Sequence, residues 1–203
     1  MATGMWYGRP EYVYPRRQPY RSNTQVAGDY DLGLYAWTLD NAVGVQTLTW
    51  EVCLTQQEPI TIRNCPELVH FSAGSVQQST YWVVTNNSVM TTASFPSVFN
   101  FTELTCSNNP SLGLVNFYDF SPPIIGGFSN FGNLNLSNNA LTSASVNSIL
   151  ATLVIVNIQN WGDLTGSWSG SIDLTGGTNA PPSGQGLTDK ATLQSRGAVV
   201  LTN

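Results

Sequence analysis

The sequence predicts an α/β fold: a solenoid of short parallel strands, with two helices near the C-terminus and an extended N-terminal arm. Three observations predict it. Apolar-x-apolar pairs recur at a fixed interval, with Ile60/Ile62, Trp82/Val84 and Leu104/Cys106 each 22 residues from the one before. Asparagine-bearing turns follow such pairs, as in WVVTNNSV, LTCSNNPSL and LNLSNNAL. Helical spacing appears only in the last third, where Val146, Ile149, Leu150 and Leu153 fall on one face of SASVNSILATLVIV.

Residues 1–23 read as a docking arm. Pro10, Pro15 and Pro19 block helix, while Trp6, Tyr7, Tyr12, Tyr14 and Tyr20 offer large contact surfaces. Four of the seven Lys and Arg (Arg9, Arg16, Arg17 and Arg21) lie here, so with Glu11 the arm carries +3 and the remainder −8 of a net −5. Tyr and Arg anchor protein interfaces, and disordered tails are usually poor in aromatics. The expected partner-docking set is Trp6, Tyr7, Arg9, Tyr12, Tyr14, Arg16, Arg17 and Tyr20, with plain disorder as the competing reading. A body with three cations cannot neutralise a run of phosphates, so nucleic acid is not an expected partner.

Residues 24–56 hold two alternating segments, DLGLYAWTL and VQTLTWEVCL, and are expected to form strands of an N-terminal β cap. Residues 57–141 carry the repeating rungs. After the first three pairs come Leu134/Leu136, Ile172/Leu174 and a last, weaker Val199/Leu201. Each rung reads as a strand, a polar turn and a return segment, stacked so that the strands pair in parallel. One rung cannot bury its apolar side alone, so several must stack. Asn87, Asn109 and Asn139 are the structural turn residues, placed to offer side-chain amides to the backbone of adjacent turns.

These residues resemble the leucine-rich-repeat pattern L-x-x-L-x-L-x-x-N-x-L. Phe131, Leu134, Leu136, Asn139 and Leu141 match it throughout, with Phe for the first Leu. Phe101, Leu104, Cys106 and Asn109 match with Leu112 one position late; Cys65 replaces Asn in the rung 60–68; and Trp82, Val84, Asn87 and Val89 fit the rung between. The resemblance spans roughly residues 57–203 and implies a non-enzymatic scaffold with an exposed binding face.

Residues 142–203 read as a strand and helix capping module. Thr142 is the expected N-cap of the first helix, and Thr188 that of a second, GLTDKATLQSR, with Leu193 as buried anchor and Gly197 as terminator. AVVLTN closes as an edge strand. The succession LNLSNN, VNSIL, DLTGGTNAPPSG and GLTDKATL is similar to a C-terminal module of tailed-bacteriophage proteins and related bacterial surface proteins. That resemblance implies a virion structural protein (a head-decoration, tail-fibre or tail-associated component). It would dock onto capsid or tail proteins through the arm and display the repeat surface to host glycan or protein in many copies. The alternatives are a bacterial surface or secreted leucine-rich-repeat adhesin at the cell surface and, less well supported, a glycan hydrolase.

Chemistry is thin. His70 is the only histidine, no nucleophile turn or phosphate loop occurs, and Gly126-Gly127 and Gly176-Gly177 read as turns. Cys53, Cys65 and Cys106 lack metal-site spacing and read as buried thiols, with one disulfide left open. Among the acids Glu103, Asp119, Asp163 and Asp173 no catalytic pair is evident, so no catalytic residue, metal or cofactor is expected. Trp161 and Trp168 are the ligand-surface candidates, able to stack on sugar rings or else to pack beneath loops. Asn86, Asn100 and Asn135 begin glycosylation-type triplets, read as chance in an Asn- and Ser-rich chain. MATGMWYGRPEYVYPRR holds no apolar signal core and ILATLVIVNI is about half a bilayer in length, so neither export nor membrane insertion is expected.

Overall fold

The computed structural model describes residues 37–49, 55–56, 59–73, 78–96, 100–117, 131–159 and 170–203. The arm residues Trp6, Tyr7, Arg9, Tyr12, Tyr14, Arg16, Arg17 and Tyr20 lie outside these, as do Cys53, Trp161, Trp168, Asp119 and Asp163.

Among the described residues the architecture is α/β, with two sheets of parallel strands and two helices. The strands are β1 (Trp37–Asp40), β2 (Thr47–Thr49), β3 (Thr55–Gln56), β4 (Ile60–Arg63), β5 (His70–Ser72), β6 (Gln78–Thr85), β7 (Thr92–Phe95), β8 (Asn100–Thr105), β9 (Leu114–Phe117), β10 (Phe131–Asn135), β11 (Ser171–Leu174) and β12 (Val199–Thr202). The large sheet runs β1-β4-β6-β8-β10-β11-β12, with β3 pairing onto β6; the small sheet runs β2-β5-β7-β9. Chain order alternates between the sheets from β1 to β9, apart from the two-residue β3, so each turn of chain contributes one strand to each sheet.

Period-two alternation sets the register. Trp37, Ile60, Trp82, Leu104, Leu134, Ile172 and Val200 align across the large sheet. From Ile60 to Val200 all of these residues are buried, as are Ile62, Val84, Cys106, Leu136 and Leu174 two positions on. Leu48, Phe71, Ala93 and Val115 point inward from the small sheet and belong to the same core. At its centre Trp82 lies 5.6 Å from Phe71 and 5.9 Å from Phe95, centroid to centroid, and Phe117 stacks on Phe95 at 5.6 Å.

β1 and β2 join the same two sheets as the strands after residue 57, Trp37 aligning with Ile60 and Thr47 with His70. Leu39, Ala42, Val45 and Leu48 are buried in the manner of a rung. That rung is hard to see in sequence because Ala42 stands where later turns have Cys or Asn.

The helices α1 (Ser143–Gln159) and α2 (Gln185–Ser195) follow the small sheet. Val146, Ile149, Leu150 and Leu153 of α1 are all buried. Thr142 caps α1, its Oγ1 accepting the Ser145 N–H at 3.1 Å, and Ser145 Oγ accepts the Val115 N–H, tying α1 to β9. Thr188 is not the cap of α2: the helix starts at Gln185 after Gly184 (φ 51°), and the Thr188 carbonyl accepts the Thr192 hydroxyl inside the helix. Ser183-Gly184 can turn the chain without a side-chain cap, because glycine takes the left-handed region freely. Leu193 is buried and Gly197 follows the helix at φ 96°.

Three expected core residues are not in the core. In β12 it is Val200 that faces inward, while Val199 and Leu201 are 55% and 47% exposed. The turn after α2 fixes this phase: the Ala198 N–H bonds to the Leu193 carbonyl, and a one-residue offset exchanges the two faces of a strand. Val89 is likewise exposed at 41%, and Met90 takes its place in the core.

Candidate functional site

The turns after the large-sheet strands form a column of asparagines with two roles. Asn41, Asn64, Asn86, Asn108 and Asn138 hold left-handed backbone, with φ between 55° and 59°. Asparagine is the non-glycine residue best suited to that region, and Gly176 and Gly177 supply it in a later turn, at φ 72° and 59°. Gly177 has a second reason to lack a side chain, because a Cβ there would meet the Asn139 carbonyl oxygen at 2.5 Å. Only the second residue of each doublet was picked out from sequence; a run of Asn-Asn is the signal that could have revealed the first.

That second residue turns inward. Asn87, Asn109 and Asn139 are buried, and each side-chain oxygen accepts a backbone N–H from the preceding turn: Cys65 to Asn87 at 3.0 Å, Asn87 to Asn109 at 2.9 Å, and Asn109 to Asn139 at 3.0 Å. The matching amide groups donate to backbone carbonyls of the preceding rung and of their own turn. Asn109 Nδ2 bonds to Val84 O and Ser107 O, both at 3.0 Å; Asn139 Nδ2 bonds to Cys106 O at 2.7 Å and Leu136 O at 2.8 Å. Asn179 extends the series, accepting from the Leu141 N–H and donating to Leu136 O and Leu174 O. Buried backbone groups that no strand ladder reaches are thereby satisfied by side chains.

Spacing within the turns is more uniform than the sequence pattern implies. Leu68, Met90 and Leu112 are buried three residues after Cys65, Asn87 and Asn109, and each donates its N–H to the carbonyl of that residue. The late Leu112 is thus the rule in these rungs, and Leu141, two after Asn139, is the variant.

Cys65 occupies an Asn position with a thiol, its Sγ 3.3 Å from the Arg63 carbonyl oxygen. Cys65 and Cys106 are both free and buried, so they do not pair with each other. Burial raises the Cys65 pKa and pushes that of Cys106 up to about 12, which keeps both as inert thiols. Among the described residues no group of three His, Cys, Asp or Glu is placed to hold a metal, and no helix is long and apolar enough to cross a membrane. His70 lies exposed on β5, its Nδ1 2.7 Å from Thr92 Oγ1.

The outward face of the large sheet is the broad surface that this scaffold presents. One column across it runs Thr38, Thr61, Val83, Thr105, Asn135, Asp173 and Leu201. Hydroxyls and carboxyls pair locally: Asp173 Oδ1 accepts the Thr175 N–H and hydroxyl, and Asn135 Oδ1 accepts the same pair from Ser137. Glu103 Oε1 accepts the Thr105 hydroxyl, and Glu103 and Asp173 stand on different strands without forming an acid pair.

At the β1 end, Asp40 Oδ2 accepts from Arg63 Nε at 3.0 Å and Nη2 at 2.8 Å, and Oδ1 accepts from the Asn64 amide. The Asn64 hydrogen bond, then Arg63, holds the Asp40 carboxyl below the usual carboxylate range. A depressed folded-state pKa contributes stability above the unfolded value of about 3.9, lost as pH falls through the folded value. Because the pair is exposed, Asp40→Asn is expected to cost no more than about 1 kcal/mol at pH 7. The gap from the parent should close as pH falls through the lowered folded-state value, as urea melts at successively lower pH would show.

Comparison with known protein families, characterised proteins and solved structures finds no significant match.

Proposed function

We propose that this chain is a non-enzymatic structural protein of a tailed-phage particle, built as a leucine-rich-repeat-like solenoid. It docks by its N-terminal arm and displays the outward sheet face to host glycan or protein. The observation that carries the reading is the buried amide ladder in the turns that border a face of Thr, Asn, Glu and Asp side chains. Such a face holds many hydrogen-bonding groups at the ~4.8 Å strand spacing on a rigid support, which suits repeated weak contacts multiplied by copy number. The arm has the Tyr, Trp and Arg composition of an interface anchor.

The test is mass spectrometry of purified particles made with the full-length chain and with a deletion of residues 1–23. The full-length chain is expected in the particle, and the deleted chain is expected to keep its thermal melt but be lost from particles. Absence of the full-length chain, or undiminished incorporation of the deleted one, contradicts the reading.

A further inference from the structure

We infer that the outward face of the large sheet, from β6 to β12, is a docking surface for this chain's own N-terminal arm. Charge comes first. Outside the arm the chain has three cations, Arg63, Lys190 and Arg196. Arg63 is clamped on Asp40, Lys190 Nζ donates to Thr202 Oγ1 at 2.7 Å, and Arg196 Nη1 donates to the Val154 carbonyl at 3.0 Å. Glu103 and Asp173 therefore stand on the face with hydroxyl and backbone N–H partners only, among the described residues. The arm's four arginines are the remaining cations of this chain, and a guanidinium can donate to the carboxylate oxygens that have no partner among the described residues.

Apolar surface points the same way. Tyr81, Val199 and Leu201 are 39%, 55% and 47% exposed, and all three face outward on this sheet. An arm in which Tyr12, Tyr14 and Tyr20 alternate with prolines and arginines presents flat rings to such a surface while its charges reach the two acids.

Chain length permits the docking within one molecule. Fifteen residues separate Arg21 from Trp37, enough to span about 50 Å when extended. From β1 to β11 is five strand spacings, about 24 Å. Attachment at β1 also gives the arm a high effective concentration over its own sheet. The docking concerns the free chain in solution and holds or fails whether or not the chain enters a particle.

The test is chymotryptic cleavage of the full-length chain after Tyr12 and Tyr20, followed by mass spectrometry at low salt. It compares the parent, Glu103→Gln/Asp173→Asn and Arg16→Gln/Arg17→Gln. Asn135 already accepts from Ser137 the bonds that Asp173 accepts from Thr175, so the Asp173→Asn change keeps the local geometry. The arginine pair lies outside the described residues, so that variant remains informative if the sheet variant misfolds. Both variants should be cut about fivefold faster than the parent, with the difference disappearing at about 0.5 M salt. Protection should be unchanged by dilution, and the chain should sediment as a monomer. Equal cleavage of all three proteins at low salt overturns the proposal. Protection that fades on dilution, together with a dimer mass, puts the arm on a second copy and overturns docking on its own chain.

Discussion

Replacing Asn139 by leucine is expected to destabilise the fold by about 4 kcal/mol, a fall of roughly 10 °C in Tm for a domain of this size. The side chain makes three buried hydrogen bonds: one accepted from the Asn109 N–H, and two donated, to the Cys106 and Leu136 carbonyls. Leucine matches its size but strips the Asn109 N–H and the Cys106 carbonyl of these bonds, each costing about 1–3 kcal/mol with partial relaxation, while Leu136 O keeps the Asn179 amide. Asn138→Leu tests the other half of the doublet. That residue is exposed at φ 56°, and the change should cost only the backbone strain of about 1–2 kcal/mol. Calorimetric melts of the two variants should differ clearly. Equal losses would show that the inward and outward asparagines are not doing different jobs.

Trp82→Ala should cost about 3–5 kcal/mol, because it empties the space between the two sheets where Phe71 and Phe95 lean on the indole. Trp82 has no exposed surface, and its Nε1 has no hydrogen-bond partner among the described residues. Trp82→Phe therefore sacrifices no hydrogen bond and should cost much less, about 1–2 kcal/mol for the smaller ring. Urea melts followed by circular dichroism would separate the two, with midpoints shifting at constant slope. A Phe variant as unstable as the Ala variant would mean that the indole N–H has a partner after all.

Much of the large sheet was legible in sequence because its signal is purely local. Ile60/Ile62, Trp82/Val84, Leu104/Cys106, Leu134/Leu136 and Ile172/Leu174 announce their buried face by alternation alone, and they align in the sheet as their spacing implies. The C-terminal strand was not legible, since Val199, Val200 and Leu201 are all apolar and alternation gives no phase. The turn after α2 supplies it. Thr188 misled for a related reason: it has the right chemistry for a cap, but the turn at Gly184 starts the helix four residues earlier than Thr188 would. Beyond β2, which lies within the expected strand VQTLTWEVCL, the small sheet escaped notice because its strands are only three or four residues long and mix Thr, Ser and His with one or two inward apolar residues, as in HFS. The asparagine doublets were visible, yet their division of labour rests on backbone dihedrals that composition does not encode. The outward face was unreadable as a surface until the register brought Tyr81, Glu103 and Asp173 onto one side.

The claim on which the rest depends is that side-chain amides, not extra strand pairing, hold the turns of this stack together. Hydrogen exchange read by NMR tests it at individual amides. The Cys65, Asn87, Asn109 and Leu141 N–H groups donate to asparagine side-chain oxygens. They are predicted to exchange as slowly as the strand amides of β6 and β8. Exchange at the rate of open loops at these four positions, with the strands still protected, would contradict the ladder.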